Sequence, residues 1–161
     1  LLDYFVGSIN RHKVNRHSLL GYDIPIYNLD LENDRGIPVD IKIIKNKISE
    51  ADGLIIGVNE HNGTVSAFVK NILDWLSRAD RNFLEGKKIL LISTSPGARG
   101  GASALAYMKA TLPRFGGSIV ENFSFPSFQK NFDTEKRTIV SPTMELGIQE
   151  VLASFLQQLE D

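Results

Sequence analysis

Short apolar runs that stop abruptly at polar or glycine-rich loops are the strongest constraint on this chain. Tyr4-Phe5-Val6 gives way to Gly7-Ser8, Gly53–Val58 to Asn59-Glu60, and Lys88–Ser93 to Thr94-Ser95-Pro96-Gly97. Such runs, bounded by turn residues, suit strands buried on both faces, as in a parallel sheet. A fourth run, Ser118–Phe125, alternates more and reads as an edge strand. Helical patterns lie between and after them. Val65, Phe68, Val69, Ile72, Leu73 and Leu76 share one helix face, with Ser66, Lys70 and Asp74 on the other. Ile148, Val151, Leu152, Phe155, Leu156 and Leu159 repeat the pattern behind a Ser141-Pro142 start. A third helix is expected from about Ala102 to Phe115, closed by Gly116-Gly117. Strands alternating with helices imply an α/β sheet with right-handed crossovers.

The 161 residues fit one domain, 1–161, without an internal repeat or linker. The path from the first run to the next extended segment is too short, however. A parallel crossover needs roughly a dozen or more residues, usually a helix. Between Ser8 and Asp23-Ile-Pro-Ile-Tyr27 there is only the brief Val14–Leu20 stretch and no strand after it. The reading therefore expects a segment to be missing between Leu20 and Gly21. The alternative is a true deletion that leaves the sheet one strand short.

Composition narrows the chemistry. A formal net charge of -1 favours neither nucleic acid nor an anionic membrane. The chain has no cysteine, which excludes disulfides, thiolate metal sites and thiol redox chemistry, so redox activity must come from a bound cofactor. No apolar run approaches the ~18 residues of a membrane span, and the first residues carry no basic leader pattern. The expectation is a cytoplasmic protein.

Three loops follow the three runs, and a parallel sheet brings such loops to one edge, where α/β ligands bind. The first, Gly7–Arg16, offers Ser8, Asn10 and Asn15 as polar groups and Arg11, Lys13 and Arg16 as positive charge. It suits an anion at a helix N-terminus, or is a solvated basic turn. It matches neither the Walker nor the Rossmann glycine pattern. The second, Asn59-Glu60-His61-Asn62-Gly63-Thr64, is polar and can approach a planar ligand at Gly63. One histidine beside one carboxylate makes a poor metal site, and Asn62 or Thr64 could instead cap the next helix. The third, Ser93–Gly101, carries Ser95, Pro96, Gly97, Gly100 and Gly101.

These residues resemble the NADPH-dependent FMN reductase family, over nearly the whole chain. The first loop is similar to the family's Gly-Ser-x-Arg-x-x-Ser-x-Asn phosphate loop at Gly7, Ser8 and Asn15, with Asn10 in place of Arg and Lys13 in place of the second Ser. Pro25-Ile-Tyr27-Asn28 resembles the family's Leu-Pro-Leu-Tyr-Asn. The second loop and its helix resemble Pro-Glu-Tyr-Asn-Gly-Ser-x-Pro-Gly-x-Leu-Lys-Asn-x-x-Asp-Trp at Glu60, Asn62, Gly63, Lys70, Asn71, Asp74 and Trp75. Asn59, His61 and Ser66-Ala67 depart from it. The third resembles Ser-x-Gly-x-Arg-Gly-Gly.

The resemblance implies a flavodoxin-like three-layer α/β sandwich with a five-stranded parallel sheet in the order 2-1-3-4-5. It implies FMN, with the phosphate near Ser8, Asn10, Lys13 and Asn15 and the ring edge along Glu60, His61, Asn62 and Gly63. Ser95, Pro96, Gly97, Gly100 and Gly101 would meet the pyrimidine side. NADPH or NADH would supply a hydride, and a quinone, free flavin or similar small acceptor would receive it. No side-chain general base is required, and His61 either tunes the flavin by titrating near neutrality or packs beside the ring. Trp75, Leu76, Arg78 and Arg81 would contribute to a homodimer, with a tetramer also open; the alternative is a core Trp beside solvated arginines. Phe123, Phe125, Phe128 and Phe132 read as core, with Ser127-Phe128-Gln129 able to flank the pocket. Two rival readings are a flavodoxin-type carrier without NAD(P)H turnover, and a protein that keeps the fold without FMN.

Overall fold

The computed structural model describes residues 1–160. Its centre is β4 (Lys88–Thr94), which pairs in parallel with β1 (Gly53–Val58) on one side and β5 (Ser118–Phe125) on the other. The period-2 alternation of a strand divides β4 between two cores. Ile89 and Leu91 enter the core built with helices α3 (Val39–Ser49), α4 (Ala67–Ala79) and α5 (Ala102–Thr111). Leu90 and Ile92 enter the other, built with α7 (Pro142–Glu160). All four side chains are at most 2% exposed, which explains why this stretch reads as one continuous apolar run. The expected layering of helix, sheet and helix is therefore present. β5 is an edge strand, as its alternation suggested.

Helix ends follow local chemistry. Ser66 caps α4 by accepting from Val69 N (3.3 Å), so neither Asn62 nor Thr64 does so. Ser141 accepts from Met144 N (3.4 Å) ahead of Pro142, as expected for α7. The helix from Ala102 changes to a 3-10 turn at Leu112–Phe115, where Pro113 cannot donate, and stops at Gly116 (φ +89°). Lys87 and Lys88 point to opposite faces of the sheet, and each supplies an ammonium to a helix C-terminus. Lys87 donates to the carbonyl of Ser49 (2.9 Å), the last residue of α3, and Lys88 to Gln158 O in α7. Cations there satisfy orphan carbonyls and complement the dipole.

The amino-terminal third departs from the sequence expectation. Tyr4-Phe5-Val6 is not a strand: Leu2–Gly7 forms helix α1. A three-residue apolar run cannot distinguish the two periods, and Leu2, Phe5 and Ile9 all pack into the α7-side core. Phe5 is fully buried in the α7-side core. The expected five-stranded 2-1-3-4-5 sheet is also corrected: the parallel sheet has three strands, with β1 at its other edge. Asp23–Tyr27 forms no strand and does not join the sheet. The chain passes Leu20 and Gly21 in a 3-10 turn, Leu19–Gly21. With so few residues between Gly7 and Asp23, no helix and return strand can be built, so the sheet is short by more than the one strand a deletion had suggested.

Residues 24–27 are instead fastened to α4. Asn71, 6% exposed, accepts from Tyr27 N (2.8 Å) and donates to Pro25 O (3.0 Å). Trp75 donates its indole N–H to the same carbonyl (2.8 Å), and its ring meets Tyr27 edge-on with centroids 5.0 Å apart. Trp75 and Leu76 are thus core residues. Arg78 pairs with Glu32 (2.9 Å) in α2 (Leu29–Arg35), and Arg81 lies over the Phe115 ring. Sequence reading overlooked α2 and α3, although Asn28 caps α2 through Leu31 N (2.8 Å) and Ile41, Ile44 and Ile48 form a helical stripe.

Asn71→Leu leaves Tyr27 N–H without its acceptor, while Pro25 O keeps the Trp75 indole, and should cost about 1–3 kcal/mol, read as a lower urea midpoint with an unchanged m-value. A second prediction concerns acid. The hydrogen bond from Arg78 holds the Glu32 carboxyl below the usual glutamate value, and Glu32 in turn raises the Tyr27 phenol. A carboxyl depressed in the folded state stabilises fully above its unfolded pKa and loses that contribution as pH falls through the folded one. Glu32→Gln should therefore lower the urea midpoint at pH 7 and flatten its decline below about pH 4.5.

Candidate functional site

The carboxyl ends of β1 and β4 present the second and third loops side by side. After β1 the chain folds into a small hairpin, β2 (Glu60–His61) and β3 (Thr64–Val65). Its turn residues Asn62 (φ +50°) and Gly63 (φ +78°) are both left-handed. This is the two-residue turn that Asn-Gly favours because it matches strand twist. A Cβ at Gly63 would meet no atom within 4 Å, so the turn faces open space. Asn59 lies 3.3 Å from His61 Nε2 and donates to it in the tautomer protonated at Nδ1. His61, Asn62, Thr64, Lys70 and Tyr107 border a shallow cavity of about 330 Å³. Lys70 is bound to Asp74 at 2.6 Å, the i,i+4 surface pair expected from their spacing.

The third loop is held by its own neighbours. Ser93 Oγ donates to Gly100 O (2.8 Å) and Ser124 Oγ to Arg99 O (2.9 Å). These two serines are direct register partners at the ends of β4 and β5. Ser127 N and Phe128 N donate to Gly97 O (2.9 Å) and Ser95 O (3.1 Å). Sequence reading missed Ser124 as a loop anchor. Its signal was a serine at the end of the adjacent strand, but register is set by pairing and cannot be read from either strand alone.

The glycines of this loop divide by role. A Cβ at Gly100 (φ +58°) would lie 2.5 Å from Ser124 Oγ and 2.8 Å from Phe125 C, and one at Gly101 (φ +81°) 3.1 Å from Ser93 Cβ. Both are glycine because the loop packs against strand ends. Gly97 is exposed, with only Ser95 Oγ at 3.8 Å from a modest added Cβ. Around it, Pro96 is exposed and Ser95 Oγ donates back to Gly97 O (3.3 Å). Among the described residues, the exposed N–H groups of Gly97, Ala98 and Arg99 have no protein acceptor.

Glu60 joins the two loops. Its Oε2 accepts from Ser103 N (2.9 Å) and Ala104 N (3.2 Å) at the start of α5, and Oε1 lies 3.9 Å from Arg99 Nη2. Its side chain is only 15% exposed and is held among protein groups.

The first loop is elsewhere, which corrects the expectation of three loops on one edge. Leu2 lies nearest Gly57 late in β1, whereas Ser8, Asn10, Arg11 and His12 border a cavity of about 450 Å³ with Leu156, Gln157 and Glu160. That end of α7 packs on Gly53 and Lys88, the first residues of β1 and β4. Helix α1 therefore runs against the strands and delivers Ser8 to their amino ends. Six residues of β1 at ~3.3 Å each put about 20 Å between the two ends. Ser8 Oγ donates to Tyr4 O (2.9 Å), Arg16 pairs with Asp3, and Lys13 and Asn15 are exposed. Phe125 and Phe132 are buried and Phe128 stacks on Phe132 (5.0 Å), so the late aromatics are core as expected.

This arrangement can be compared with known proteins. The sequence pattern of the NADPH-dependent FMN reductase family matches residues 1–130. The chain belongs to this family. It is 33% identical over 110 residues to the quinone reductase of Escherichia coli (strain K12), a match covering 62% of this chain and 58% of that protein. A 2-hydroxy-1,4-benzoquinone reductase of Burkholderia sp is 36% identical over 121 residues, 65% of each. The chain thus spans less than two thirds of these curated relatives. Among solved structures, FerB, a flavoenzyme NAD(P)H:(acceptor) oxidoreductase from Paracoccus denitrificans, superposes with a TM-score of 0.69. It shares 26% identity, and the match covers 86% of this chain and 76% of that one.

The two kinds of glycine give a direct test. Gly100→Ala meets both a positive φ and a backbone collision and should cost at least about 2 kcal/mol, whereas Gly63→Ala meets only the positive φ and should cost about 1 kcal/mol. Thermal unfolding of the two variants checks the order.

Proposed function

We propose that this protein is an FMN-dependent oxidoreductase that takes a hydride from NADPH or NADH and passes it on to a quinone, free flavin or similar small acceptor. One observation carries the reading: three exposed backbone N–H groups, at Gly97, Ala98 and Arg99, stand without protein acceptors beside an open Asn62-Gly63 turn. Uncharged donors in a row suit the carbonyl-rich edge of a flavin ring. Such fixed dipoles would stabilise the negative charge of a reduced ring bound against them. The N-terminus of α5, the usual place for a phosphate after a glycine-rich loop, is already filled by the Glu60 carboxylate. Bound FMN would supply the hydride-transfer chemistry, while the protein contributes binding, orientation and electrostatics.

The ring end fits the residues present: His61, Asn62 and Gly63 on one side, Ser95, Pro96 and Gly97 on the other, with Gly100 and Gly101 shaping the loop from behind. The phosphate end does not fit this arrangement, because Ser8, Asn10, Lys13 and Asn15 lie at the opposite end of the sheet. We therefore propose that the natural protein is one domain with further residues between Leu20 and Gly21, whose helix and strand let residues 4–6 pair with the outer edge of β1. Gly7 would then end at the carboxyl edge and bring those four residues to the site. The outer edge of β1, which has no strand partner among the described residues, supports this. Sequencing the native transcript across the codons for Leu20 and Gly21 tests it; an uninterrupted junction overturns it.

No helix among the described residues is long and apolar enough to cross a membrane, and the proposed setting is cytoplasmic. A homodimer, with a tetramer as the higher option, is proposed on family grounds and is tested by sedimentation velocity.

Incubation with FMN followed by gel filtration should give a yellow protein that NADPH or NADH bleaches and a quinone recolours. Bound flavin unresponsive to either nucleotide would instead support an electron carrier. Loss of FMN at micromolar protein would overturn the proposal.

A further inference from the structure

Helix α5 begins without a side-chain cap of its own. Its N-cap residue is Gly101, in the left-handed region, and it offers no oxygen to the first free N–H groups of the helix. Those groups need acceptors, and a capping side chain normally reaches the second or third of them. Here Glu60 does so from 43 residues away: its Oε2 accepts from Ser103 N at 2.9 Å and from Ala104 N at 3.2 Å. The same carboxylate faces Arg99 of the glycine-rich loop through its other oxygen, at 3.9 Å. One side chain therefore touches three pieces of the molecule: the hairpin it belongs to, the third loop, and the helix that follows that loop.

The hairpin has little else of its own to fix its position. It consists of two residue pairs, Glu60 with Val65 and His61 with Thr64. A two-stranded hairpin of this size is marginal alone, and His61, Asn62, Gly63 and Thr64 are all exposed. Val65, 5% exposed, anchors one end in the core, and the Glu60 contact anchors the other. Charge-assisted hydrogen bonds at a helix N-terminus are stronger than neutral ones, and this carboxylate is largely shielded from water.

We propose that Glu60 is the positioning residue of the ring site. By capping α5 it fixes the gap between the His61–Gly63 turn and the Gly97–Arg99 N–H groups before any ligand arrives. The inference rests on the functional reading above, because it assigns the gap to the flavin ring. Glu60 does not itself touch the reacting atoms. Preorganisation of this kind improves affinity by lowering the ordering cost of binding.

The test compares Glu60→Ala and Glu60→Gln with Ser141→Ala, which removes the cap of α7 far from the site. In the ligand-free proteins, amide hydrogen exchange at Ser103, Ala104 and residues 61–64 should quicken by about tenfold or more in Glu60→Ala. In Glu60→Gln, which keeps an acceptor oxygen without the charge, it should quicken less. FMN titration should follow the same order, with a dissociation constant about tenfold higher for Glu60→Ala and an altered bound-flavin spectrum. Ser141→Ala should lower thermal stability while leaving the FMN constant and spectrum unchanged. Faster exchange with unaltered FMN affinity and spectrum would show a structural cap only and overturn the proposal. Unaltered exchange in Glu60→Ala would overturn it as well, whatever the flavin does. Should the wild-type protein take up no FMN, the functional reading fails and the assignment of this gap to a flavin ring falls with it, while the exchange arm still decides the cap.

Discussion

Everything in this molecule is arranged around a strand that must be buried on both faces. Ile89, Leu90, Leu91 and Ile92 have no solvent side, so β4 is stable only with a strand on each flank and a helical layer above and below. That requirement puts α3, α4 and α5 on one face and α7 on the other. It also fixes where the chain can turn. The loop after β4 leaves the middle of the sheet at its carboxyl end, next to the loop after β1, and the candidate site is the consequence of that adjacency.

The ends of the helices, more than their faces, determine how the loops are held. Lys87 and Lys88 bind carbonyls at the C-terminal ends of helices on opposite faces. Glu60 binds N–H groups at the start of α5. In each case a charged side chain from the sheet or its loops completes backbone groups that a helix cannot satisfy itself. At the site this has a chemical result. A glycine-rich loop leading into a helix is ordinarily an anion site, but here a carboxylate is built in, and the N–H groups of Gly97, Ala98 and Arg99 are left without protein acceptors among the described residues. The Ser93 and Ser124 hydroxyls, side by side in register, hold the loop in that presentation.

Much of this was legible in the residues. The runs at Gly53–Val58 and Lys88–Ser93 are legible as strands because they are short, largely apolar and bounded by turn residues, and the stripes in α4 and α7 as helices because their apolar spacing has the helical period. The Asn62-Gly63 turn, by contrast, was read as a loop or a cap. Its pairing of Glu60 with Val65 depends on Val65 reaching the core, which assigns that residue to a strand and not to the helix its spacing also suits. Glu60 was read as facing a ligand because a carboxylate in a polar loop carries no mark of what it will meet. Tyr4-Phe5-Val6 was read as a strand because three apolar residues satisfy both periods.

The sequence alone determined the α/β alternation, the two long amphipathic helices and the absence of thiol chemistry, because composition and periodicity are local properties, and its loop motifs carried the family resemblance. Only the tertiary structure decided which loops meet. The second and third loops come together because β1 and β4 are parallel neighbours, and Glu60 reaches α5 because crossover α4 returns the chain beside it. The first loop lies at the other end because the residues between Gly7 and Asp23 are too few to build a helix and a returning strand, so α1 runs against the sheet. Which end of a sheet a loop occupies is set by chain direction, and that depends on the length of the connections, not on the residues in the loop.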